Sequence, residues 1–408
     1  MTSPSEESLG LLEKLVAFDT TSRRSNLEMV AFVEDHLKAL GVRSELTYDD
    51  DGKKANLFAT IGPEDEPGIV LSGHTDVVPV DGQNWATDPF HVHCADGRVF
   101  GRGACDMKGF IAVMLAKAGP IVARRPRTPI HLAFSCDEEV GCLGVPRLLG
   151  RLAQRQVRPL VCIVGDTTGM HIGIAHKGKR EMRCRVHGHE AHSSLVHKGA
   201  NAIEAAAAII VQLQSLARRL RSEGALDRSF DPPYSTIQTG LVSGDVALNI
   251  VPNSCSFSFE PRSLPATDPD AVIEEIRQFT ASDVVPALRE ISKDAGVAWE
   301  ELSSFPGLDI ALDHPLVRAS FEIARTNETV KLSFGTEAGL FSALGIPTAI
   351  VGPGEIEQAH KPNEFVALEQ IARCETFIDW LVDRAGADPG VGFPEFYDRG
   401  AAAFDRPV

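Results

Sequence analysis

The first 175 residues alternate two hydrophobic rhythms. Apolar residues return at helical spacing over 26–40 and 107–123, whereas 69–72, 130–135 and 160–164 are short apolar runs of strand length. A capped amphipathic helix is predicted from about Ser5. Helices alternating with strands predict an α/β fold, a mixed sheet with helices on both faces. Ligands of such sheets bind beyond the carboxyl ends of the strands, and His74, Glu138 and Asp166 each stand just after an apolar run.

From about Lys179 the rhythm changes. A strand over 180–187, an Ala-rich helix over 200–221, strands over 234–241 and 247–259, a helix over 269–289 and a strand over 297–302 spell β-α-β-β-α-β, the split unit of an α+β domain. After Pro306 the first rhythm resumes, with a helix over 315–326, a strand over 348–351 and a helix over 368–382. The pattern therefore predicts a catalytic domain in two parts, 1–178 and 307–408, interrupted by an inserted domain at 179–306. A Gly-, Pro- and Asp-rich stretch from about residue 386 reads as a loosely held extension.

Composition narrows the function classes. Of 408 residues, 43% are hydrophobic and 24% charged, which fits a globular protein and excludes a disordered or fibrous chain. Lys and Arg total 40 against 56 Asp and Glu, a net charge of −16 that argues against nucleic-acid or membrane-surface partners and leaves a small-molecule substrate. The longest helical apolar stretch, 202–216, is interrupted by Glu204, Gln212 and Gln214, so no bilayer span is expected. The opening MTSPSEESLGLLEKL lacks a basic and then apolar leader, and the eight cysteines form no C-x-x-C pair; both features read as a cytoplasmic protein with reduced thiols.

Several motifs carry candidate chemistry. SGHTDVVP ends an apolar run with His74 and Asp76 on one side of an extended backbone, where the carboxylate would orient a metal-bound imidazole; a structural histidine beside a turn aspartate is the plainer reading. GRGACDMKG sets Asp106 ahead of a helix, as a ligand or as an ordinary N-cap. FSCDEEVG stacks Asp137, Glu138 and Glu139 at a strand end, where they repel one another unless they lie in solvent, share a proton or hold a cation. VCIVGDTT and GEIEQAHKPNE add Asp166 and His360, singly a turn aspartate and a surface histidine. Jointly, carboxylates and imidazoles from several strand ends suit a pair of divalent ions, with zinc, cobalt and manganese all compatible. HGHEAH brings His187, His189 and His192 close in sequence, but it lacks the i, i+4 pair of a helical H-E-x-x-H site.

These motifs, in this order from about residue 7 to residue 385, resemble the amidohydrolase and exopeptidase family M20, and FGTEA with QAHKPNE resemble most its acetylornithine-deacetylase branch. The resemblance implies that His74, Asp106 and Asp166 hold one of two divalent ions and Asp106, Glu139 and His360 the other, with zinc foremost and Glu138 as general base. It equates the insert with the family's lid, whose His192 reaches the partner subunit's active site in dimeric members. It further implies that Arg262 and Asn249 contact the substrate's carboxylate or carbonyl region, and that Gly335 and Thr336 of FGTEA bind substrate. Deacetylases of the family usually carry Glu where this chain has Asp166. The implied activity is hydrolysis of the amide of a small N-acyl amino acid such as N-acetylornithine, a step of arginine biosynthesis, by a homodimer joined through the lid. Succinyl-diaminopimelate desuccinylase, aminoacylase and dipeptidase are the alternatives within the family, and a non-catalytic binder of amino-acid derivatives is the alternative outside it.

Overall fold

The structure, a computed structural model, describes residues 3–155, 158–244, 247–324 and 328–387. They form two compact units, one drawn from the described residues of 3–175, 308–331 and 336–387, the other from those of 176–307 with 332–335.

The first unit is built on a mixed sheet. Its strands run in the order Ser44–Tyr48, Ala55–Ile61, Ile130–Ser135, Ile69–His74, Val161–Val164, Thr348–Ile350, Ile172–His176 and Leu308–Asp309, with Thr329–Leu332 also pairing Ile172–His176. The strand Ile69–His74 lies parallel to both Ile130–Ser135 and Val161–Val164. Every residue of the first two of these strands is buried, as a parallel sheet covered on both faces requires. His74 is in register with Ser135, and Ser72 with Val164, so the loops carrying Asp76, Glu138 and Asp166 leave the same end of the sheet.

Helix Glu6–Ala17 starts where Ser5 caps the Ser8 amide, and it buries Leu11, Leu12, Leu15 and Val16. Helix Gly109–Arg124 is buried on every side from Phe110 to Leu115 and packs against Glu6–Ala17 and Leu368–Gly386. The Phe110 ring fills the space a side chain at Gly165 would need, since a Cβ there would lie 2.0 Å from it. The glycine preceding Asp166 thus lets the central helix approach the sheet.

The second unit has a four-stranded antiparallel sheet in the order Thr236–Gly244, Ser254–Ser263, Gly178–His187, Gly296–Phe305. The third strand in sequence fills the slot left by the helical crossover between the first two. Met182, Cys184, Val186, Cys255, Phe257 and Phe259 pack with residues of helices Ala202–Glu223 and Pro269–Phe279.

Some elements differ from the sequence expectation, for local reasons. The helix read over 269–289 is interrupted by a wide turn, Thr280–Val284, before Val285–Ile291; Pro286 has no N–H to offer the preceding turn. The strand read over 247–259 divides at Pro252 into Ile250–Val251 and Ser254–Ser263. Residues 332–335 pack with the second unit, not with the resumed α/β part. The extension read from residue 386 lies, beyond residue 387, outside the described residues. Among the described residues, no helix is long and apolar enough to cross a membrane.

Candidate active site

His74 closes its strand. Its Nδ1 lies 2.9 Å from the main-chain carbonyl of Asp76, the geometry of an Nδ1–H donor, which turns Nε2 into the site. The expected carboxylate partner is not the one used: Asp76 Oδ1 is 3.7 Å from that nitrogen. Instead the Asp76 oxygens accept from the amides of Glu138 at 3.1 Å and Glu139 at 3.2 Å and from Ser22 Oγ at 2.7 Å. Asp76 therefore anchors the backbone of the Glu138–Glu139 loop. Lys54 Nζ steadies the same loop by donating to Asp137 and to the Ser22 carbonyl.

Asp106 lies in a wide turn, Ala104–Lys108, at φ −121° and ψ 92°, so it is not a cap of the helix that starts at Gly109. Its Oδ1 is 3.0 Å from His74 Nε2 and its Oδ2 is 3.3 Å from His360 Nε2. His360 Nε2 is also 3.0 Å from Glu139 Oε2. The ligand atoms of His74, Asp106 and Glu139 lie within 4.8 Å of one another. Asp166 stands beside this group, buried, with its Oδ1 accepting the Thr167 amide at 2.6 Å. Glu138 Oε1 accepts from Cys142 Sγ at 3.3 Å.

The electrostatics are those of acids crowded away from water. Burial and the Asp106 carboxylate push the Glu139 and Asp166 carboxyls each up to about 7. Burial also lifts Glu138 well above the carboxylate range, against the pull of the His74 imidazole. Burial acts the same way on Asp106, but hydrogen bonds from His360 and His74 outweigh it and hold that carboxyl well below its usual range. Hydrogen bonds to Asp106 and Glu139 carry His360 up to about 11; His74 rises too, its bond to Asp106 overriding burial.

Acids crowded in this way favour a positive charge among them, which a divalent cation would supply. Glu139 Oε1 is buried and has no hydrogen-bond partner, an expensive state for a carboxylate oxygen. An imidazole and carboxylate donor set that includes an unsatisfied buried oxygen fits a metal ion.

Sequence reasoning missed a second layer of buried charge. Glu337 accepts from Ser72 Oγ at 2.5 Å and Ser135 Oγ at 2.6 Å, tying the FGTEA segment to the strand of His74 and its neighbour. Glu364 takes a 2.6 Å ion pair from Arg102 and accepts the amides of Cys105 at 2.9 Å and Asp106 at 3.1 Å. Both glutamates sit in quoted motifs, which was the available signal; that they are buried is not written in a sequence. Thr336 is buried and its Oγ1 accepts the Ala338 amide at 3.0 Å.

The remaining candidates belong to the second unit. A Cβ at Gly335 would lie 2.0 Å from the Phe305 ring, so the position requires glycine. His192 is exposed on the short strand Ala191–His192, which pairs with Ile250–Val251, and Ser193 N–H donates to the Asn249 carbonyl at 3.0 Å; these two candidates are neighbours. The Ser194 amide donates to His192 Nδ1 at 3.2 Å, leaving the ring proton on Nε2. Arg262 is half-buried, with Nε donating to Glu260 Oε1 at 2.9 Å.

Residues 70–383 match the model of peptidase family M20/M25/M40. An acetylornithine deacetylase of Myxococcus xanthus is 35% identical over 383 residues, covering 90% of this chain and 94% of that protein. Among solved structures, an M20 family metallo-carboxypeptidase from Sulfolobus solfataricus superimposes with a TM-score of 0.72 at 17% identity, covering 94% of this chain and all of that one. A dinuclear metal-binding M20 peptidase from Bacillus subtilis gives 0.65 at 16% identity, covering 93% and 96%. The chain belongs to peptidase family M20/M25/M40 and is an enzyme of that metallopeptidase and amidohydrolase class.

Proposed function

We propose that the protein hydrolyses the amide of a small N-acyl amino acid, with N-acetylornithine as the leading substrate, using two divalent cations. The observation that carries this reading is the convergence of His74, Asp106, Glu139 and His360, with the second Glu139 oxygen buried and without a partner. The deacetylase relatives support the substrate class. Asp106, through its two oxygens, would bridge one position held with His74 and Asp166 and another held with Glu139 and His360. Zinc leads among the ions that suit these donors, with cobalt and manganese next. When bound, such a pair lowers the pKa of a shared water toward neutrality and polarises an amide carbonyl.

The chain's own groups supply the rest. Glu138 takes a proton from the attacking water on its Oε2 and gives it to the leaving nitrogen as the amide C–N bond breaks. His192, with its ring proton on Nε2, would donate to the oxyanion, and Asn249 beside it would contact the same carbonyl region. Arg262, with Nε already paired to Glu260, offers its remaining N–H groups to the substrate carboxylate. Gly335 and Thr336 complete the substrate contacts. A homodimer joined through the second unit is part of the proposal, supported by its edge strand Thr236–Gly244 with Leu241 and Val242 at 69% and 61% exposure. The cysteines, all free, suit a cytoplasmic setting.

The test is a panel of N-acyl amino acids against the zinc-loaded, chelated and Glu138→Gln proteins. Chelation should abolish turnover reversibly, and Glu138→Gln should lower kcat by about 10²–10⁴-fold with metal content intact. Turnover that survives both treatments would sink the reading.

A further inference from the structure

We propose that Gln83 is a positioning residue for His360 and thereby sets the affinity of the second cation position. The inference rests on the two-cation reading above. His360 has φ +60°, a left-handed backbone that residues with side chains seldom adopt, so something must hold its loop there. Its side chain is half exposed, with Nε2 meeting Asp106 and Glu139, so the loop's own backbone contacts must hold the carbonyl side.

The holding contacts come from the segment around Gln83. Gln83 Nε2 donates to the His360 carbonyl at 2.9 Å. Its amide cannot be turned the other way, because Oε1 accepts from Arg102 at 2.6 Å and from the Trp85 indole N–H at 3.0 Å, two groups that only donate. Three residues on, the Ala86 amide donates to Asn363 Oδ1 at 2.7 Å. Arg102 also pairs with Glu364, both side chains being 1% exposed, and Glu364 accepts the Asp106 amide.

The loop bearing His360 is thus pinned at His360, Asn363 and Glu364. One buried ion pair sets both the bridging carboxylate and, through Gln83, the histidine that faces it. His74 takes its own orientation from the Asp76 carbonyl and meets this chain of contacts only through Asp106. Losing Gln83 should therefore loosen one cation position and spare the other. Substitution of groups that orient ligands commonly weakens metal binding by about 10–100-fold.

Metal-free wild type, Gln83→Met, Asn363→Ala, His360→Ala and the His360→Ala/Gln83→Met double variant would be titrated with zinc by calorimetry with chelator competition. Their melting temperatures would be compared without metal. Wild type should bind two zinc ions; Gln83→Met should weaken one constant by about tenfold or more and leave the other unchanged. Asn363→Ala, which frees the same loop at its other end, should act in the same direction and decides the matter if Gln83→Met does not fold. In the His360→Ala background, Gln83→Met should change nothing further, since it acts only through that histidine. Equal weakening of both constants, no change in either single variant, or an added loss in the double variant would overturn the positioning role. A wild type that binds fewer than two zinc ions would instead defeat the two-cation reading beneath it.

Discussion

The two units treat their polar residues in opposite ways. In the first, His74, Asp106 and Glu139 stand among one another, backed by a further layer of buried charge, Glu364 with Arg102 and Glu337 with two serines. In the second, His192 and Asn249 are exposed, and Arg262 is half-buried with a single ion pair to Glu260. A buried acid must be satisfied where it stands, so its neighbours dictate its geometry before any ligand arrives. An exposed donor costs little to leave waiting. The first arrangement suits holding ions in one place, and the second suits meeting a substrate that comes and goes.

The contrast can be broken at its sharpest point with His192→Ala. If the second unit supplies transition-state contacts and no ligands, kcat should fall by about 10²–10³-fold while zinc stoichiometry and melting temperature stay put. A parallel loss of zinc, measured by elemental analysis, would move His192 into the metal-holding set and erase the distinction.

Arg262→Lys probes the same side at lower amplitude. A lysine keeps the charge but cannot fork two bonds to a carboxylate, so KM should rise about tenfold with kcat nearly unchanged. The comparison substrate is the corresponding N-acyl amine lacking the carboxylate. If wild type and variant differ just as much on that amine, Arg262 does not read the carboxylate.

The smallest effect sharpens the picture of the first unit's interior. His131 is buried in the same sheet but away from the acids. Burial, helped by the Arg155 guanidinium, pushes its imidazole down to about 3, the reverse of what the acids do to His74. The unfolded chain takes a proton near its ordinary 6.5 while the folded one does not, so between about 6.5 and 3 the unfolded state binds more protons and stability falls as pH falls. His131→Gln should flatten the acid limb of the stability curve by about 1 kcal/mol between pH 6 and 5, read from denaturant midpoints. Superimposable limbs for the two proteins would mean that the ring is already hydrated in the native state.

Much of this was legible because strands and their ends leave a local mark. His74, Glu138 and Asp166 follow apolar runs long enough to be buried parallel strands, and that alone aims their loops at one end of a sheet. The change of rhythm near residue 179 was legible for the same reason, and the strands Gly178–His187, Thr236–Gly244, Ser254–Ser263 and Gly296–Phe305 form a sheet of their own. Asp106 was not decidable locally, since a cap and a ligand look alike before a helix; only a turn that points its carboxylate at His74 and His360 excludes the cap. Asp76 was misjudged in its partner, because two loop amides brought in from a neighbouring strand end claimed its oxygens.

The chain's periodicities, glycines and clustered acids by themselves determined an α/β sheet interrupted by an α+β insert, and which side chains were available for chemistry, because these depend on interactions within a turn or a strand. Tertiary structure alone decided which of those side chains meet, that Glu337 and Glu364 are buried, and that Gln83 grips the carbonyl of a histidine 277 positions away. Desolvation and long-range hydrogen bonding depend on what the fold brings alongside a residue, and no local pattern encodes that.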